Sequence, residues 1–205
     1  MANEVRDPAM RVCVLRAGPE YTPAHAQWLA AQVPDLVVLS DVEVPGVPRR
    51  PLLHDWPGWF AKMELFRPDL RGPLLYLDLD TVVLGDLSPL EQAGPSRMLS
   101  DFYRPQQPAS GLMYLTEADR ARVWAHWMRD PAGHMRRART TQCWGDQGII
   151  AEALPGVARW GCEAVSYKVH CQRAGVPPAG ARVVCFHGQP RPWGVKHSWV
   201  PEWPH

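Results

Sequence analysis

A chain of 205 residues is enough for one ordinary domain with an apolar core and a cleft on its rim, and leaves little room for a second. Lysine and arginine number 22 against 21 acidic residues, so no global field singles out nucleic acid or an anionic membrane as an obligatory partner, and any binding charge is local. The five cysteines (Cys13, Cys143, Cys162, Cys171, Cys185) are odd in number and contain no C-x-x-C pair, which fits reduced thiols and a cytoplasmic address better than a disulfide framework.

Residues 1–9 read as a loose N-terminal tail. They carry charges and a proline where a signal peptide needs an apolar run, and no later stretch approaches a membrane span, so no integral membrane contact is expected. Met10 to Leu15 reads as a short buried strand, followed by a turn at Gly18-Pro19. Thr22 then caps a helix with Pro23 at its first position, running to about Val33 before Pro34. Leu36 to Leu39 completes a β-α-β unit, the pattern of a parallel sheet. Pro45 to Pro57 reads as loop. Phe60 to Phe66 is expected as a helix with Phe60, Met63 and Phe66 inward, ended by Pro68, and Leu74 to Leu77 as an apolar strand ending in Asp78-Leu79-Asp80.

Further along, Thr116 with Asp119 marks the start of a helix whose Val123, Trp124, Trp127 and Met128 share one face, stopping at Asp130-Pro131. The stretch Arg129 to Arg139 is polar and broken and reads as a mobile loop. Asp146, taken alone, is the N-cap of a helix over Gln147 to Leu154. Val183 to Phe186 is a last buried strand, and a tail rich in proline and tryptophan follows from Gly188. Most of the 10 tryptophans read as core filling. The chain as a whole reads as a single α/β domain over residues 1–205.

The chemistry centres on Asp78 and Asp80. Two residues apart on an extended segment, their carboxylates point to one side just beyond a buried strand, where ligands of open α/β sheets collect. Paired oxygen donors there suit Mg²⁺ or Mn²⁺ completed by phosphate oxygens. Asp78-Leu79-Asp80-Thr81-Val82 also resembles the nucleophile motif of haloacid-dehalogenase-type phosphatases, with Asp78 as nucleophile and Asp80 as acid/base. Against that reading, roughly seventy residues precede a motif that usually ends a domain's first strand, and no downstream acidic pair completes its magnesium site. A zinc site built from Cys162, His170, Cys171, Cys185 and His187 matches no familiar ligand spacing.

Five blocks occur in an order that resembles the GT-A glycosyltransferases similar to family eight, and within them a little-characterised bacterial and phage group. They are Gly58-Trp59-Phe60-Ala61-Lys62 with Leu65-Phe66-Arg67-Pro68, Leu75 to Asp80, Ser110-Gly111-Leu112-Met113, Trp144-Gly145-Asp146-Gln147, and Phe186 to Trp193. The resemblance spans nearly the whole chain and implies a Rossmann-like GT-A domain with a mostly parallel sheet flanked by helices. It further implies transfer of a sugar from a nucleotide-diphosphate sugar, of the UDP type, with retention, to a glycan or other hydroxyl acceptor.

Carried over by position, the resemblance assigns the donor to Val14, Arg16, Ala17, Gly18, Tyr21 and Asp41, to Lys62, and to Asp78, Leu79, Asp80, Gly188 and Arg191. Asp78 and Asp80 would hold Mn²⁺ or Mg²⁺ with His187 as third ligand. Here the sequence departs from the family's His-x-x-Gly-x-x-Lys-Pro-Trp block, whose histidine falls at Cys185, two residues earlier. Arg191 takes the place of the block's lysine and keeps its positive charge. Asp146 and Gln147 would lie beneath the transferred sugar, and Ser110 with Gly111 on the acceptor side. Arg136, Arg137 and Arg139, with Arg191, Lys196, Trp199 and Trp203, would make a surface for an anionic glycan or a modified nucleic acid. A non-catalytic module that binds sugar nucleotides or glycans is the third alternative.

Overall fold

In the computed structural model, which describes residues 9–91, 94–141 and 143–204, the chain opens with the expected β-α-β unit. Strand β1 (Met10–Leu15) pairs in parallel with β2 (Val37–Ser40), and helix α1 (Pro23–Ala30) connects them. Pro23 sits in its first turn, and the Thr22 amide donates to His25 Nδ1 at 3.0 Å, which satisfies one N-terminal donor. The helix ends at Ala30, short of the expected Val33. The expected loose tail lies outside the described residues except for Ala9, which is buried.

Around this unit a seven-stranded sheet forms in the order β3-β2-β1-β4-β7-β6-β8. Its members are β3 (Arg49–Pro51), an edge strand inside the segment read as loop, β4 (Leu74–Leu77), β6 (Arg97–Ser100), β7 (Pro108–Leu115) and β8 (Ala158–Arg159). Only β7 runs against the others. A smaller sheet, ordered β5-β10-β9, consists of β5 (Thr81–Val83), β9 (Ala164–Ser166) and β10 (Val183–Cys185).

Strand periodicity sorts the central side chains onto two faces. Val12, Val14, Leu74 and Tyr76 pack beneath α3 (Glu117–Trp127), α5 (Gly145–Ala153) and a 3₁₀ helix at Gly58–Phe66. The alternate residues Cys13, Leu15, Leu75 and Leu77 pack with Ala26 and Leu29 of α1 and Leu90 of α2 (Ser88–Glu91). The result is an α/β fold, a mostly parallel sheet flanked by helices.

The Phe60–Phe66 helix is present but wound as 3₁₀. At three residues per turn, Phe60, Met63 and Phe66 fall one above another, and all three are buried. Glu64 on the same helix is fully buried and accepts from the Leu53 and His54 amides and from Arg67, so it pins the preceding loop against the helix. Buried Arg120 on α3 donates to the carbonyls of Leu70 and Gly72, at 2.8 and 2.6 Å, and anchors the connection into β4.

Two expectations on the following segment are corrected. Met128 is 44 % exposed, because α3 has ended and the chain turns away before its side chain reaches the core. The stretch read as a mobile loop is largely helix α4 (Pro131–Arg137): Asp130 caps it by accepting from the Gly133 amide at 2.8 Å, and Pro131 sits in its first turn. Asp130-Pro131 is both a stop and a start, and only the stop is conspicuous in the sequence. Arg137 then grips both carboxylate oxygens of Glu152 on α5, which removes it from any free basic patch.

Hydrogen bonding from Arg137 holds the Glu152 carboxyl down at about 2, below its ordinary 4.5. A depressed carboxylate contributes stability above its unfolded pKa and loses it as pH falls toward the folded one. The pair is about a third exposed, so Glu152→Gln should cost at most about 1 kcal/mol near neutrality. Urea unfolding of both proteins at about pH 7 and about pH 3 should show the gap narrowing in acid; an equal gap at both would contradict the assignment.

Candidate active site

A cleft of about 850 Å³ opens beyond the carboxyl ends of β1 and β4, the place where open α/β sheets bind ligands. Val14 and the loop Arg16-Ala17-Gly18 form one wall, and the Gly18 amide donates to the Tyr21 carbonyl at 2.9 Å to close the turn. Asp41 is the one expected donor residue that does not line the cleft. Its Oδ1 accepts from the Ala17 amide at 2.9 Å and its Oδ2 lies 3.4 Å from Arg16, so it shapes the first wall instead.

Asp78, Leu79 and Asp80 form a turn between β4 and β5 rather than the extended segment expected. Leu79 drops into the core, and the acids on either side of it face the cleft. Lys62, on the 3₁₀ helix, donates to Asp78 Oδ1 at 2.9 Å, and the Tyr76 hydroxyl donates to the same oxygen. Gly111 makes this approach possible: a Cβ there would lie 3.2 Å from Asp78 Oδ2. Ser110 and Gly111 fall where the β6–β7 register jumps from Met98↔Met113 to Leu99↔Ala109, a bulge that turns both residues into the cleft.

The same lysine reaches a third element. Lys62 Nζ lies 3.5 Å from Asp146 Oδ2 and 3.3 Å from Ser110 Oγ, and Ser110 in turn donates to Asp146 at 2.6 Å. Asp146 is therefore not the N-cap its sequence position suggests. Trp144 holds that place, and Asp146 turns from the first turn of α5 into the network. Burial works to lower the Lys62 pKa, but Asp146 and Asp78 raise it net, so the ammonium stays charged. Gln147 lines the cleft beside Asp146.

On the other side, Asp80 pairs with Arg191 and lies 3.4 Å from the Tyr21 hydroxyl, while Arg191 also pairs with Glu20 and sits 5.5 Å from the Tyr21 ring. Burial, and then the Asp78 charge, push the Asp80 carboxyl upward despite Arg191. Two hard oxygen donors with crowded negative charge are a donor set that Mn²⁺ or Mg²⁺ takes.

The expected third ligand stands apart from them. His187 Nε2 is 2.7 Å from Ser166 Oγ and its ring stacks on Phe102; burial and then Lys168 lower its pKa. Among the described residues, the donor atoms of Asp78, Asp80 and His187 do not gather within 4.8 Å of one another. Cys185, at the position of the family's histidine, lines the cleft, and burial with the charges of Asp78 and Asp80 raises its thiol pKa. Gly188 and Arg191 also line the cleft, Gly188 with φ at 68°.

The rival zinc set does not assemble among the described residues: Cys162 is exposed, Cys171 is buried in a third apolar cluster, and His170 Nδ1 accepts from the Ser166 amide. Of the expected basic and aromatic surface, Arg136, Arg139 and Lys196 are exposed, whereas its two tryptophans are engaged. Trp199 donates to the Gly175 carbonyl at 2.9 Å, and Trp203 packs on His25 and Trp193. Sequence reasoning gives no role to Tyr76, Glu20, Tyr103, Trp59 or Trp144, all of them in the cleft or its network. Tyr76 had a signal, being next but one to Asp78 at the end of the strand.

The fold is that of the GT-A glycosyltransferases. The galactosyltransferase LgtC, solved with donor and acceptor sugar analogs, is 15 % identical with a TM-score of 0.61, over 90 % of this chain and 89 % of its own. GlyE, a glycosyltransferase of Streptococcus pneumoniae, is 14 % identical with a TM-score of 0.62, over 93 % of this chain and 57 % of its own. Mouse xyloside xylosyltransferase 1 is 11 % identical with a TM-score of 0.55, over 89 % and 98 %. At these identities the likeness is one of fold. No protein-family model and no curated protein matches the sequence. Among the described residues no helix is long and apolar enough to cross a membrane.

Removing the cation from between buried Asp146 and half-buried Asp78 leaves their charge uncompensated. Lys62→Met should therefore lower the unfolding free energy by about 3 kcal/mol in urea titrations. A loss under about 0.5 kcal/mol would show that the lysine does not hold the network together.

Proposed function

We propose that this chain is a glycosyltransferase, of the kind grouped in family eight, that moves a sugar from a UDP-sugar to a hydroxyl acceptor with retention of configuration, using Mn²⁺ or Mg²⁺ on Asp78 and Asp80. The observation that carries the reading is the pair of acids at the carboxyl end of β4, each set against one cation, Lys62 or Arg191, inside one deep cleft. When bound, the divalent ion would neutralise charge on the donor diphosphate.

The residues divide the remaining work. The Arg16–Gly18 loop and Tyr21, braced by Asp41, are suited to hold the nucleoside. Lys62 and Arg191 offer positive charge for the oxygens on which charge builds as the bond between the anomeric carbon and the diphosphate breaks. The diphosphate leaves with the electron pair, the acceptor oxygen forms the new bond to carbon, and the acceptor's proton passes to the departing diphosphate or to solvent. Asp146 and Gln147 would meet the polar face of the transferred sugar, and Asp146 is already oriented by Ser110.

A dehalogenase-type phosphatase finds less support: the acidic pair follows β4 inside a mixed sheet, and Asp78 is engaged by Lys62 and Tyr76 instead of standing free as a nucleophile. Asp78→Asn and Asp80→Asn should each reduce metal-dependent UDP-sugar hydrolysis by about 100-fold or more. Full turnover in both variants, or turnover of a simple phosphomonoester without nucleotide, would sink the proposal.

A further inference from the structure

Three of the large apolar side chains that stand most exposed, Trp59 at 49 %, Trp144 at 52 % and Tyr103 at 67 %, line this same cleft. Aromatic surface left in water beside a cavity marks a binding surface rather than a core. Trp59 precedes Lys62 by one turn of a 3₁₀ helix, whose three-residue repeat puts the two side chains on one face. Trp144 is two residues before Asp146. The two indoles lie 6.1 Å apart between ring centroids, tilted by 38°. Gly145, at φ 57°, lets the edge of Trp59 seat against the start of α5, because a Cβ there would come within 3.2 Å of Trp59 Nε1.

The indole pair is therefore attached to the two elements whose Lys62 and Asp146 both contact Ser110, the residue expected on the acceptor side, and not to the Arg16–Tyr21 wall. We infer that Trp59 and Trp144 form the acceptor subsite and that the acceptor is a carbohydrate chain, one ring of which lies with its C–H face against these indoles. The inference rests on the glycosyltransferase reading above. The chemistry favours a sugar: its ring hydrogens carry slight positive charge and meet the negative face of an aromatic ring, while its hydroxyls stay in water. Nucleic acid is disfavoured because its phosphates need cations beside the stacking surface, and on the reading above the donor diphosphate takes Lys62 and Arg191. Arg16, the remaining charged cation of the cleft, stands on the opposite wall, paired with Asp41 and Asp55.

The test uses the full chain, a broad printed glycan array, a single-stranded oligodeoxynucleotide, and calorimetry with UDP and Mn²⁺. The wild type should bind at least one class of oligosaccharide. Trp59→Ala and Trp144→Ala should each weaken that binding about tenfold, Trp→Phe at either position should lose less, and UDP affinity should stay within about twofold. Oligosaccharide binding that survives in the double alanine variant, absence of glycan binding by the wild type, or loss of the oligodeoxynucleotide in its place would overturn the subsite. A parallel fall in UDP affinity would also overturn it, by assigning the indoles to the nucleotide. Failure of the wild type to bind UDP while glycan binding persists would instead count against the donor reading alone.

Discussion

One half-buried ammonium organises this cleft. Lys62 Nζ sits between Asp78, at the end of the central strand β4, and Asp146, in the first turn of α5, with Ser110 from the β7 bulge closing the group. Four elements from distant parts of the chain are thereby fixed relative to one another by charge. A lysine in such a place is stable only because its two carboxylates more than offset the burial, and the carboxylates are tolerable only because the lysine is there. The hydrophobic faces of the sheet set the elements roughly in place, and the ion network sets them for chemistry.

A second network, less buried, mirrors the first. Arg191 joins Asp80, Glu20 and the face of Tyr21, so the tail is tied back to the loop after β1. The cleft is in this way bounded by two cations, each already balanced by acids. Under the proposed function, a diphosphate with its metal would enter by taking over part of these pairings, so that the cations it meets are already held in place by the surrounding acids.

Much of this was legible in the residues themselves. The unbroken apolar run Leu74-Leu75-Tyr76-Leu77 and its punctuation by Asp78-Leu79-Asp80 located the strand and its acidic end, and Thr22-Pro23 marked the first helix. What was hidden depends on partners far away in sequence. Asp146 looked like a helix cap because the serine it binds lies 36 residues earlier. Asp130-Pro131 looked like an end because stop and start signals share the same residues. Trp59 and Trp144 carried no role of their own among tryptophans read mostly as core filling, since no local pattern tells an indole that packs inward from one that faces a cleft. His187 was a ligand only by the family resemblance, and Ser166 and Phe102 hold its ring, while the buried thiol beside the carboxylates is Cys185.

The central claim is that the cleft between Lys62 and Arg191 receives a nucleoside diphosphate. Titration calorimetry of the intact chain with UDP, with Mn²⁺ and then with excess chelator, tests it most directly. Saturable binding of one nucleotide per chain, weakened about tenfold or more when the metal is withdrawn, is the outcome the account predicts. No heat with UDP or any other nucleoside diphosphate in the presence of the metal would contradict it.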